Sequence, residues 1–180
     1  MLDLPKKVKL KDGRIAVIDF LKESDSAEEL RKFINSIIAE DAFLIYNRKT
    51  TMKEEKEWKK NELKKFRERT GFLLIAKINR KIVGSSGAGK GPHRAKGNVE
   101  LGIAISKEGR GIGLGEVLLR TNIRITKKFL TPKNIYLTAF ELNKPALSLY
   151  KKLGFKEIAK LPEWLEHGGK YCDQIVMKLY

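Results

Sequence analysis

The spacing of apolar and polar positions changes in a regular order along this chain. Residues 7–10 and 14–20 alternate with the period of a strand and flank Asp12-Gly13, a pair suited to a tight hairpin turn. From Ser26 the period becomes helical. Leu30, Phe33, Ile34, Ile37 and Ile38 fall on one face, and Ser26-Ala27-Glu28-Glu29 reads as a capping box, predicting a helix to about Ala39. Thr51-Met52-Lys53-Glu54 opens a second, highly charged helix to about Arg69, with Trp58, Leu63 and Phe66 as buried candidates. Strands are predicted at 72–78, 81–88, 98–106 and 134–140. An amphipathic helix at 114–129 turns Leu114, Val117, Leu118, Thr121 and Ile125 inward. A short helix starts at Asn143 or Lys144 and is closed by Gly154. Two late strands, 155–161 and 172–179, flank a long connection at 161–169. The order ββααβββαβαββ, without repeat or linker, predicts one mixed α/β domain over residues 1–180.

The chemistry gathers where the strand at 98–106 meets the helix at 114. Between them lies Arg110-Gly111-Ile112-Gly113-Leu114-Gly115. A glycine-rich turn entering a helix leaves backbone N–H groups free at the positive end of the helix dipole, which suits an anion. Arg110 adds a positive charge, so the turn reads as a pyrophosphate site. The dinucleotide fingerprint G-x-G-x-x-G does not fit: the third glycine would fall on Leu114, Glu116 or Leu118. Upstream, Gly84-Ser85-Ser86-Gly87-Ala88-Gly89-Lys90 matches G-x-x-x-x-G-K. The next residues, Gly91-Pro92, supply neither the magnesium-binding hydroxyl nor a continuing helix.

Arg110, Gly113 and Gly115 do fit R/Q-x-x-G-x-G/A, and a second signature follows: Asn143, Ala146, Leu149-Tyr150, then Leu153-Gly154-Phe155. Together these resemble the GNAT acetyltransferase superfamily. The resemblance spans residues 14–178 and is weakest before Phe72. It implies a single GNAT-type acyl-CoA N-acyltransferase domain, mixed α/β (α+β). Its central twisted sheet would be mostly antiparallel, with one splayed strand pair and helices on both faces.

It also implies acetyl-CoA as co-substrate, no metal, and a primary amine as acceptor, either a small amine or amino acid or a protein N-terminus. The cofactor-binding candidates are Ile103, Ala104 and Ile105 on the strand, then Arg110, Gly111, Ile112, Gly113, Leu114, Gly115 and Glu116, with Asn143 and Tyr150. Tyr150 is the expected general acid; a phenol is a donor at neutral pH, with an ordinary pKa of ~10. Glu100 is the expected base, directly or through water, and strand alternation sets it on the face of Gly102, opposite Leu101. A salt-bridged strand carboxylate is the competing role for Glu100, and Glu141 is a weaker alternative base. The joint at 41–50 is expected to help form the acceptor cleft, with Phe43 and Tyr46 as candidate contacts. Tyr171 and Asp173 match a Tyr-x-Asp pattern of several branches, with an architectural role expected.

Composition adds limits. Hydrophobic residues make up 42% and charged residues 33%, the balance of a globular protein. No apolar run approaches the ~20 residues of a membrane span, and the first residues lack a secretory pattern, so a cytoplasmic protein is expected. A single cysteine, Cys172, permits no intrachain disulfide and reads as a small strand residue. His93 and His167 have no neighbouring ligands at metal spacing and are expected at the solvent surface. The net charge of +16 favours anionic partners. It leaves open a ribosome- or RNA-associated or non-catalytic CoA-binding module on the same fold, and a homodimer.

Overall fold

A computed structural model describes residue 4 and residues 6–180. Its elements are β1 (Lys7–Lys9), β2 (Ile15–Phe20), α1 (Ala27–Ile38), α2 (Met52–Arg67), β3 (Gly71–Ile78), β4 (Lys81–Lys90), β5 (Asn98–Ile105), α3 (Leu114–Phe129), β6 (Asn134–Phe140), α4 (Lys144–Lys152), β7 (Phe155–His167) and β8 (Lys170–Leu179). Local chemistry fixes the helix starts. Thr51 and Glu54 form the reciprocal capping box expected for α2. At α1 the Ser26 hydroxyl accepts from the Glu29 N–H, half of the box.

The strands build one sheet in the order β1-β2-β3-β4-β5-β6-β8-β7. β1 to β5 run as an antiparallel meander. Because α3 carries the chain back across the sheet, β5 and β6 are parallel. Leu73, Ile75 and Ile82 meet Leu30, Phe33 and Ile37 of α1 and Leu63 of α2 on one face. Phe72, Leu74, Val99 and Leu101 meet Leu114, Leu118 and Ile125 of α3 on the other. The alternation of β3 and β5 thus divides the core into two layers.

The parallel ladder is short. It joins Asn98 to Asn134, Val99 to Ile135 and Glu100 to Tyr136, and there it ends, while β6 continues to Phe140 paired only with β8. This is the splayed pair. The Ser106 N–H bonds the Val83 carbonyl. Bonding alternates along an antiparallel ladder, so the even-numbered residues of β5 turn their backbone groups to β4. Ile103 and Ile105 turn theirs to the side that β6 has left.

The C-terminal part departs from expectation. Residues 161–167 are not a connection. β7 runs to His167, and Gly168-Gly169 form the turn into β8. The alternation is hidden by an irregularity between Leu161 and Leu165. Asp173 stabilises it by accepting the Glu163 N–H at 2.9 Å and pairing with Lys160 at 2.7 Å. His167 is only partly exposed: its ring packs on Phe43 with centroids 4.6 Å apart. Cys172 is a buried free thiol beside Phe140 and Leu165.

Candidate active site

The divergence of β5 from β6 opens a cleft of about 810 Å³. Its floor is Ile103, Ala104 and Ile105. One end is Arg110, Gly111, Gly113, Gly115 and Glu116, and one wall is Asn143, Ala146, Leu149 and Tyr150 of α4 and its cap. The opposite wall comes from the α1–α2 joint, Glu40 to Leu44.

At the glycine end, Gly111 and Gly113 have φ of 76° and 85°, a left-handed backbone that glycine adopts without strain. Gly113 is the N-cap of α3 and no side chain caps the helix. The first N–H groups of α3 therefore meet the cleft with the positive end of the helix dipole. Side chains around them adjust the charge. Arg110 donates Nε to the Ile105 carbonyl at 3.0 Å and pairs with Glu40 at 2.7 Å. Glu116 is matched by Arg120 at 2.9 Å and Lys152 at 2.6 Å, and these two hold its carboxyl below the usual range, Lys152 most strongly. Two of the candidates, Ile112 and Leu114, do not line the cleft. Leu114 is fully buried in the core, and Ile112 packs against that core while its carbonyl accepts the Lys11 N–H.

That bond brings in a cation absent from the motif. The β1–β2 turn lies on the glycine loop, so the Lys11 side chain runs beside Gly113, its Cγ 3.4 Å from where a β-carbon would stand. Arg14 ties the same turn down through the Glu108 carbonyl at 3.0 Å.

Asn143 caps α4 by accepting the Ala146 N–H at 3.3 Å while facing the cleft. Tyr150 is 6% exposed, and burial pushes its phenol up to about 12. Glu100 lies elsewhere. It is exposed and accepts from the Tyr136 hydroxyl at 3.4 Å. It lines a second groove of about 520 Å³ on the other face of β5, along Gly102 and Ala104 and under Ile45, Tyr46 and Trp58. Ile103 and Ala104 border both spaces, so the two meet at the open stretch of β5. Glu141 is engaged by Lys160 at 3.0 Å. Among the described residues no group of three or more His, Cys, Asp or Glu is placed to hold a metal ion, and no helix is long and apolar enough to cross a membrane.

Comparison with known proteins agrees with this architecture. Residues 34–155 match the family described as Acetyltransferase (GNAT) family, and the chain belongs to that family. A curated relative from Sulfurisphaera tokodaii, an N-alpha-acetyltransferase, is 37% identical over 73 residues, 41% of this chain; the chain spans 43% of that relative's length. Among solved structures, an acetyltransferase of the GNAT family from Streptococcus pneumoniae superposes with a TM-score of 0.79 at 24% identity, covering 91% of this chain and 98% of that one. The protein yncA from Salmonella typhimurium, solved with its cofactor acetyl-CoA, gives 0.79 at 19% identity, covering 91% and 92%.

Proposed function

We propose that the protein is an acetyl-CoA-dependent N-acetyltransferase in which a primary amine attacks the thioester directly. The observation that carries this reading is the ladder of β5 and β6 ending at Glu100 and Tyr136, which leaves the Ile103 backbone facing Tyr150 and Asn143. Bound acetyl-CoA supplies the activated acyl group. The residues present suit it: an extended arm can add to Ile103 and Ile105 as a strand would, and a pyrophosphate suits the uncapped end of α3. Arg110 and Lys11 add charge at that end. The Ile103 N–H is placed to stabilise charge developing on a carbonyl oxygen in the cleft; such donors contribute ~3 kcal/mol in acyl transfer. Tyr150 keeps its proton through the physiological range and serves as the acid for a departing thiolate. Glu100, in the groove beyond Ala104, receives the amine's proton through water.

The curated archaeal relative favours protein N-termini among the amine acceptors. The groove under Ile45, Tyr46 and Trp58, about 520 Å³, also has room for more than a single amino acid. The test is calorimetric titration with acetyl-CoA, comparing wild type with Gly113→Asp, which puts a side chain and a negative charge on a left-handed residue. Micromolar binding lost in the variant, with thiol release that depends on an added amine or peptide N-terminus, supports the proposal. A folded wild type that does not bind acetyl-CoA overturns it. Binding without transfer to any amine, together with salt-sensitive retention on RNA, would favour a ribosome- or RNA-associated module.

A further inference from the structure

On the α1/α2 face lies a pocket of about 360 Å³ that shares Ile34, Ile45, Tyr46, Trp58 and Ser85 with the acceptor groove and adds a buried carboxylate, Glu55, that the acetyl-transfer reading does not use. Its walls are Phe33, Ile34, Tyr46 and Trp58, and Glu55 lines it. Glu55 is 5% exposed. Among the described residues its carboxylate accepts one hydrogen bond, from the Thr50 hydroxyl at 3.2 Å, which also lies 3.3 Å from the Asn35 side-chain oxygen. Thr50 is held in turn by Asn35, which accepts its N–H at 2.8 Å and donates to its carbonyl at 3.0 Å. Neither nearby cation is hydrogen-bonded to it: Arg31 pairs with Glu28 at 3.1 Å and reaches Glu55 only through its field, and Arg48 pairs with Glu54 at 2.6 Å.

A carboxylate accepts at about four sites, and burying it without a cationic partner is costly. Aromatic faces around such a group attract organic cations. The pocket also has an address. Ser85 borders it and pairs in register with Ala104, which lies at the acyl-transfer cleft. The pocket therefore starts about one strand spacing, ~5 Å, from Ala104 on the floor of the cleft.

We propose that this pocket is a specificity subsite that takes a second cationic group of the acceptor, an alkylammonium, on Glu55 between Trp58 and Tyr46. The inference rests on the acetyl-transfer reading for the word acceptor, and on the pocket alone for cation binding. Two sources carry the required chemistry: a diamine, or a basic side chain next to the reacting N-terminus. Burial pushes the Glu55 carboxyl up, opposed by the Thr50 hydroxyl and the field of Arg31, as expected of a carboxylate whose counter-ion arrives with the ligand. The Arg48–Glu54 pair at the pocket is neutral as a unit, so Glu55 sets the local sign against a chain of net charge +16.

Two measurements test it. In a Trp164→Phe background, Trp58 is the remaining indole, and n-butylammonium should change its fluorescence saturably where 1-butanol and equal ionic strength of sodium chloride do not. Glu55→Gln keeps the Thr50 hydrogen bond, removes the charge, and should weaken that response at least about tenfold. In the kinetic arm, Ala-Lys amide is compared with Ala-norleucine amide, and 1,4-diaminobutane with n-pentylamine. The cationic member should have the higher kcat/KM by about tenfold, through KM, and Glu55→Gln should bring the ratio to within about twofold. The pair that shows the preference identifies the source.

Should Glu55→Gln fail to fold, Tyr46→Leu at the half-exposed mouth carries the test, with an expected loss of about threefold. No fluorescence response, or a preference that Glu55→Gln leaves intact, overturns the proposal. A Glu55-dependent response in a protein that acetylates nothing supports the cation site and overturns only the acetyl-transfer reading.

Discussion

Asn122 of α3 donates its side-chain amide to the Ser86 hydroxyl of β4 at 2.8 Å, and Ser86 donates its own proton to the Gly102 carbonyl of β5 at 2.9 Å. The same amide nitrogen also donates to the Gly87 carbonyl at 2.8 Å, and Thr126 donates to the Asn122 side-chain oxygen at 2.9 Å. All three side chains are buried. The network ties the helix that begins at the glycine loop to the two strands beside the splay, at the residue before Ile103. It holds β5 on the β4 side where β6 no longer supports it.

Removing the centre of that network should cost more than an average substitution. Asn122→Ala leaves Ser86, Thr126 and the Gly87 carbonyl short of partners in the core. Each stranded polar group costs ~1–3 kcal/mol. A net loss of about 2–4 kcal/mol is expected, a fall in Tm of roughly 5–15 °C for a domain of this size. Ser86→Ala added to Asn122→Ala should cost less than the sum of the two single changes, because both break one network. Additive losses in urea unfolding would show that the groups act independently.

Tyr150 carries a prediction at high pH. The unfolded phenol ionises near pH 10, whereas the folded one, pushed up to about 12, keeps its proton. The native state thus binds more protons across that window, and stability falls as pH rises from 10 to 12, by on the order of 2 kcal/mol. Tyr150→Phe should flatten this part of the curve. On the proposed chemistry the same variant should lower kcat by about 10²-fold, as loss of a general acid does, with acetyl-CoA affinity within about twofold. A wild-type kcat profile with a basic limb below pH 9 would have to come from another group.

Arg110 and Glu40 predict a competition. The guanidinium that the motif assigns to pyrophosphate is paired with a carboxylate from the end of α1. Arg110→Ala should weaken acetyl-CoA binding about tenfold, the loss of one charge-assisted contact. Glu40→Gln should act in the opposite direction, tightening binding about two- to fivefold, because the ligand no longer displaces a carboxylate. The gain should shrink as salt rises. Calorimetry of both variants at two ionic strengths decides the sign.

Most elements were legible in the sequence because the hydrophobic period changes cleanly and the starts of α1, α2 and α4 carry their own caps. The glycine end of the site was legible for the same reason, since strand, turn and helix are contiguous there. What stayed hidden depends on contacts between distant residues. Nothing around Lys11 signals that its turn folds onto Gly113, a hundred positions later. Asn122 reads as one polar residue beside Thr121, and its partner Ser86 belongs to a stretch that only mimics a nucleotide loop. The second half of β7 was concealed by its irregularity, which places Pro162 and Glu163 where alternation should continue. His167 read as a fully exposed residue because Phe43, the ring it packs against, comes from the α1–α2 joint.

The start of α2 should be the acid-sensitive part of the molecule. Glu54 is paired with Arg48, and its carboxylate accepts from the Thr51 N–H at 2.8 Å and hydroxyl at 2.9 Å. The Arg48 hydrogen bond first, then those from Thr51, lower its carboxyl to about 2. A depressed carboxylate stabilises the fold above its unfolded value, ~4.5, and that contribution is lost as pH falls from there through 2. Protonation removes the return half of the capping box and the Arg48 pair together. Thr50 adjoins the cap and presents its hydroxyl to Glu55, so the aromatic pocket should loosen in the same window. Urea midpoints measured between pH 5 and 2.5 should fall less steeply for Arg48→Ala than for wild type. Thr51→Ala should lower stability by ~1 kcal/mol at neutral pH, as loss of a cap does. Parallel pH curves for wild type and Arg48→Ala would assign the acid sensitivity to carboxylates elsewhere, and Asp173, lowered chiefly by its hydrogen bond from Lys160, would be the next to substitute.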